Sequence, residues 1–203
     1  MTAPDPHAFY ELDILRTVEQ DCRLTNRQVA RKLGVSLKLA HQLLSRMVAK
    51  GLLHVRVVHA RRWDYFLTPK GIAEKTRLTL EFLEFSLSFY REARRRSSQL
   101  CHDLRRRGVR SVAFLGGGDL AEIAYLGVRE WGLVLSEVYD DGNQRAFMGV
   151  PVRALEALDE GGAEAVVVCC YDAQAPMRTG FLPPGVRRQP RMHWVFGPGP
   201  AER

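Results

Sequence analysis

The 203 residues suit one large or two small domains, and 46% hydrophobic with 26% charged residues is an ordinary globular balance. No apolar run approaches the ~18 residues of a membrane span, and residues 1–7 lack the basic-then-apolar order of a secretory leader, so the chain reads as cytoplasmic with no membrane partner. The net charge of +7 is uneven: residues 1–107 hold 21 Lys/Arg against 11 Asp/Glu, residues 108–203 hold 9 against 12, and the front half is the one expected to meet a polyanion.

Leu12, Leu15 and Val18 recur at helical spacing, with Phe9 and Ile14 alongside, and predict a first helix over residues 9–19. Thr25-Asn26-Arg27-Gln28 is a capping box that opens a short helix through Leu33. Gly34-Val35 is the turn, Ser36 caps the next helix, and that helix runs to Lys50 and stops at Gly51. Ala30, Gly34, Ala40 and Leu43 fall at the offsets where two crossing helices need a small residue, a turn and an apolar contact. This is a helix-turn-helix pattern.

On its second helix, Leu39, Ala40, Leu43, Leu44 and Met47 face inward. Lys38, His41, Gln42, Ser45 and Arg46 recur at spacings of three and four and share the free face. Gln pairs with adenine, Arg with guanine, and Lys and Ser with phosphate. Ser36 and the helix start add a place for a phosphate. A solvated polar face is the alternative for any one of these residues. Residues 52–58 and 63–67 read as two strands of a hairpin, and Arg56, His59, Arg61 and Arg62 make it basic, which suits a narrow, electronegative groove.

Thr68 caps a following helix with Pro69 in its first turn. Ile72, Leu78, Phe82, Phe85 and Phe89, with Leu83, Leu87 and Tyr90, give it an apolar face too wide to stand alone. A second copy of the chain, or the chain's own second domain, is expected to cover it. Arg94-Arg95-Arg96-Ser97-Ser98 reads as an interruption, with a further helical piece over residues 100–107. Residues 9–90 resemble a MarR-type winged helix, down to the ending Tyr65-Phe66-Leu67-Thr68-Pro69-Lys70-Gly71 that follows the wing in that family. The resemblance implies a homodimer on a palindromic double-stranded DNA site.

Residues 109–115 read as a buried strand and residues 119–131 as a helix. Residues 133–139 follow as a strand, 152–158 as a short helix and 163–170 as a third strand, with one more over residues 192–196. This order implies a small parallel sheet. Gly116-Gly117-Gly118-Asp119-Leu120-Ala121 matches G-x-G-x-x-A between strand and helix, the setting of a dinucleotide phosphate turn. Asp140 and Asp141 end the next strand, where a carboxylate meets ribose hydroxyls. Asp119 and Glu122 place negative charge at the helix start, which opposes a phosphate.

With its stretches Val138-Tyr139-Asp140-Asp141 and Phe147-Met148-Gly149-Val150-Pro151-Val152, the segment 109–170 resembles the small Rossmann-like domains of Rex repressors and of PglD-type sugar acyltransferases. The first resemblance implies NAD(H), the second a nucleotide-sugar, and the cofactor stays open between them. Cys22, Cys101, Cys169 and Cys170 fit no zinc spacing and read as reduced thiols, with redox sensing at Cys169 and Cys170 as the alternative. Neither a nucleophile elbow, paired metal ligands, a P-loop lysine nor a Tyr–Lys dehydrogenase pair is present.

The fold class expected is an α+β winged helix-turn-helix followed by an α/β Rossmann-like domain. The divisions are residues 1–71 for DNA binding, 72–107 for linkage and dimerisation, and 108–203 for a nucleotide-type ligand. The function expected is a ligand-responsive transcription regulator and not an enzyme. The alternatives are a nucleotide-dependent enzyme acting on nucleotide-sugars, and a regulator whose second domain serves assembly alone.

Overall fold

The computed structural model describes residues 6–59, 62–172 and 181–197. The chain divides into two compact units, Met1–Leu87 and Ser88–Arg203. The first holds α1 (Pro6–Gln20), α2 (Asn26–Leu33), α3 (Leu37–Ala49), β1 (Leu53–His59), β2 (Arg62–Leu67) and the start of α4 (Pro69–Arg106). Its core gathers Ile14, Leu15 and Val18 of α1, Val29 of α2, Leu43, Leu44 and Met47 of α3, Leu53 and Tyr65 of the hairpin, and Leu78 of α4. Each such buried apolar side chain contributes on the order of 1.5–3 kcal/mol. β1 and β2 pair antiparallel, Leu53 opposite Leu67 and Val57 opposite Trp63. Three helices and a two-stranded wing make this unit a winged helix-turn-helix.

The second unit is built on six strands. They are β3 (Ser111–Leu115), β4 (Val134–Tyr139), β5 (Ala146–Phe147), β6 (Val150–Arg153), β7 (Ala165–Val168) and β8 (Met192–Trp194). Their order is β5-β6-β4-β3-β7-β8, parallel throughout except for the β5–β6 hairpin. α5 (Asp119–Glu130) joins β3 to β4, and a 3-10 helix (Leu155–Glu160) precedes β7. Val112 and Phe114 pack with Cys101 and Leu104 of α4 and Leu120 and Ala124 of α5. Ala113 and Leu115 pack on the other face with Tyr139, Leu158 and Val166. Burial on both faces is why β3 from Val112 onward and the whole of β7 are apolar runs.

Two sequence expectations are corrected, and one element is new. The run Arg94–Ser98 does not interrupt α4, which is continuous over 38 residues. Glu92 bridges Arg95 and Arg96 one turn on (2.8 and 2.6 Å), and the small Ser97 lets Gly127 of α5 come so close that a Cβ there would sit 3.0 Å from the Ser97 carbonyl oxygen. Residues 152–158 are not one helix: β6 ends at Arg153 and the 3-10 helix starts at Leu155. The β5–β6 hairpin was not anticipated, because its Met148-Gly149 turn (φ 47° and 84°) uses Met where Asn or Asp is the usual signal.

Candidate nucleic-acid interface and glycine turn

The geometry of α2 and α3 follows from three local devices. Gln28 N–H donates to Thr25 Oγ1 and Thr25 N–H donates to Gln28 Oε1 (3.3 and 2.9 Å), closing the capping box. Gly34 ends α2 in the left-handed region (φ 64°), where a side chain costs about 1–2 kcal/mol. Leu39 N–H donates to Ser36 Oγ (3.2 Å) and fixes the start of α3. Ala40 is fully buried at the helix crossing, and Leu43, Leu44 and Met47 extend that buried face.

Ser36, Lys38, His41, Gln42, Ser45 and Arg46 are all exposed. Five of them remain as a free polar face, and Ser36 serves as the cap. Asn26 Nδ2 lies 3.1 Å from His41 Nδ1, a tie from α2 to α3 that periodicity in α3 alone did not show. Among the described residues, neither Lys38 nor Arg46 has a carboxylate within 4.0 Å.

Arg56 is exposed on β1, opposite Asp64 of β2. His59 and Arg62 pair as backbone at the end of the hairpin, but their side chains, and Arg61 altogether, lie outside the described residues. Between α3 and the wing runs a groove of about 300 Å³, lined by Leu44, Val48, Val55, Trp63 and Tyr65.

The Thr-Pro-Lys-Gly step locks the wing onto α4. Gly71 N–H donates to Thr68 Oγ1 (2.9 Å), and Thr68 Oγ1 in turn donates to the Gly51 carbonyl (2.6 Å). Lys70 Nζ donates to the Lys50 carbonyl at the end of α3 (2.8 Å). A Cβ on Gly71 would meet the Leu52 carbonyl oxygen at 2.0 Å, so only glycine fits. The motif that marks the sequence is thus a joint, with its lysine turned to backbone.

In the second unit, Gly116 has φ 96° and its missing side chain leaves room for Cys170, whose Sγ would stand 2.8 Å from a Cβ. Gly117 N–H donates to Asp140 Oδ2 (2.5 Å), and Asp140 Oδ1 accepts from Gly142 N–H (2.7 Å). Asp141 Oδ1 accepts from Leu155 N–H (3.4 Å) at the start of the 3-10 helix. Both acids expected at a ribose are thus engaged with backbone, and Asp140 holds an amide of the turn itself. Gln144 adds its Oε1 over Gly117, 3.3 Å from where a Cβ would be.

Gly118 caps α5 with open space beside it, Asp119 is exposed in the first turn, and Leu120 is fully buried. Gly142 and Gln144 escaped the sequence reading because nothing marks a loop residue as the neighbour of a distant turn. Burial pushes the Cys101 and Cys170 thiols up to about 12 and raises Cys169 as well, which disfavours the thiolate a redox switch needs.

A family model described as winged helix-turn-helix DNA-binding matches residues 10–53. No curated protein matches the chain. Among solved structures, the chain is similar to MepR, a transcription regulator of the Staphylococcus aureus multidrug efflux pump MepA. Identity there is 26% over 41% of this chain and 62% of that one, with a TM-score of 0.36. The PcaV transcriptional regulator from Streptomyces coelicolor matches at 22% identity over 39% of this chain and 60% of its own, also at 0.36. An S. aureus MepR–DNA complex matches at 27% over 40% of this chain and 60% of that one, again at 0.36. The chain therefore spans about three fifths of the length of these structures. Among the described residues, no helix is long and apolar enough to cross a membrane.

Proposed function

We propose that the chain is a dimeric, DNA-binding transcription regulator of the MarR type whose second unit is a Rossmann-type sensor. The observation that carries the DNA reading is the α3 face. Lys38, His41, Gln42, Ser45 and Arg46 stand exposed on the helix after the Gly34 turn, inside the segment matched by the winged helix-turn-helix model. Such a helix reaches base edges in a major groove while basic side chains on the wing track the backbone. Arg56, His59, Arg61 and Arg62 are the wing residues assigned to that role.

The dimer rests on α4, where Leu80, Leu83, Leu87 and Tyr90 are 44–56% exposed along one stripe. A second copy is the occupant that also supplies a second α3 for a two-fold DNA site.

The sensor reading rests on the strand order, which reverses beside β3, and on the glycine turn at the carboxyl end of that strand. Gly116, Gly117, Gly118, Asp119, Leu120, Asp140 and Asp141 are the residues assigned to a nucleotide-type ligand, NAD(H) or a nucleotide-sugar. A second reading, in which this unit serves assembly alone, is favoured by the Asp140 contact with Gly117 N–H. A phosphate at that amide has to displace a carboxylate.

The DNA reading is tested by fluorescence anisotropy on a random-sequence duplex. Lys38→Gln/Arg46→Gln is expected to weaken binding at least about tenfold at 0.15 M salt. It is also expected to lower the salt slope by about one, near 0.9 for the phosphate that Lys38 no longer neutralises. Wild-type affinity and slope in that variant contradict it.

A further inference from the structure

Two helices of the second unit end side by side. α4 closes through Gly108 (φ 88°), with Val109 N–H donating back to the Leu104 carbonyl (3.2 Å). α5 closes through Gly132 (φ 63°), with Leu133 N–H donating to the Val128 carbonyl (2.9 Å). These are the same glycine helix stop used twice. The strands that follow begin in register, Ser111 opposite Val134, and Val134 N–H donates to the Arg110 carbonyl (2.9 Å). Both turns therefore lie at one end of the sheet. They bring Arg105, Arg106, Arg107 and Arg110 together with Arg129, and all five are exposed.

Four other arginines of the unit are paired with carboxylates, while Arg91, Arg145, Arg187, Arg188 and Arg191 are, among the described residues, as free of a carboxylate as the five. Arg94 pairs with Glu130, Arg95 and Arg96 with Glu92, and Arg153 with Glu137. None of the five has a carboxylate within 4.0 Å among the described residues. Glu164, at the same end of the sheet, accepts from Arg110 N–H and Ser111 Oγ rather than from a guanidinium (3.0 and 3.3 Å).

The partial negative charge of two helix ends accounts for one or two cations within the last turn. It does not account for Arg110, which lies in neither helix. From Ser88 onward every cationic residue other than histidine is arginine, the side chain whose planar fork takes two phosphate oxygens at once.

We propose that this arginine end of the sheet is a second contact for the phosphate backbone of double-stranded DNA, separate from α3 and the wing and indifferent to base sequence. The choice of DNA over other polyanions rests on the reading of α3 given above. A duplex held by one unit raises the effective concentration of phosphates around the other, to which it is tethered.

The test compares the salt dependence of binding to a random-sequence duplex for four full-length proteins. They are the wild type, Lys38→Gln/Arg46→Gln, Arg105→Gln/Arg106→Gln/Arg107→Gln/Arg110→Gln, and the same four arginines changed to Lys. The four-Gln protein is expected to lose about two to four from the slope of log affinity against log salt, at ~0.9 per phosphate, and the four-Lys protein about one or less. An unchanged slope in the four-Gln protein overturns this contact. An unchanged slope in the α3 variant alone overturns the α3 assignment instead. An equal fall in the Lys and Gln proteins, with a lowered melting temperature in both, reports damage to the fold of the second unit rather than loss of a phosphate contact and also overturns the proposal.

Discussion

Asp140 shows how one carboxylate changes what a glycine turn offers. An acid twenty-odd residues after G-x-G-x-x-A reads from sequence as a ribose ligand, because position in the chain says nothing of where the side chain turns. Here it bridges Gly117 N–H and Gly142 N–H, and with Asp119 in the first turn of α5 it makes the turn acidic. Asp140→Asn is therefore expected to destabilise the second unit by about 1.5–3 kcal/mol, lowering its melting temperature by roughly 3–10 °C. The same change is expected to raise affinity for phosphate-bearing nucleotides, read by calorimetric titration with NAD and ADP-ribose. An unchanged melting temperature contradicts the bridging role, and tight nucleotide binding by the wild type that Asp140→Asn abolishes restores the ribose assignment. Other residues were legible from the start. Thr25, Gly34, Ser36 and Gly116 act through backbone conformation or a neighbour two or three positions away, and such effects are written locally in a sequence.

At the scale of elements, what covers α4 changes along its length. Leu78, Ala93, Cys101 and Leu104 are buried, while Leu80, Leu83, Leu87 and Tyr90 recur at spacings of three, four and three and remain exposed. That spacing is the seam of a short helix pair. Leu83→Glu/Leu87→Glu is expected to convert a dimer to a monomer in sedimentation equilibrium with helix content retained, because neither residue belongs to a buried cluster. A wild type that sediments as a monomer, or a variant that stays a dimer, contradicts the seam. The width of the apolar face was readable in the sequence, and its continuity through Arg94–Ser98 was not. Two serines there look like a break, and only packing against Gly127 shows why a small residue is needed. β5 escaped for a related reason: two residues are too few to show alternation.

For the whole molecule, the charge division seen in the sequence at residue 107 falls inside the second unit, which begins at Ser88, and each unit has its own charged surface. The first presents free cations on α3. The second has acids around its glycine turn and arginines where β3 and β4 begin. The order of strands was not readable, since β8 pairs with β7 across a span of chain that has no periodicity. The central claim is that two copies of a winged helix-turn-helix read one DNA site. Its most direct test is selection of bound duplexes from a random-sequence pool by the wild-type protein, with Lys38→Gln/Arg46→Gln in parallel. The account predicts enrichment of an inverted repeat with half-site centres about 10 base pairs or a multiple apart, lost in the variant. No enrichment, or the same sequences recovered by both proteins, contradicts it.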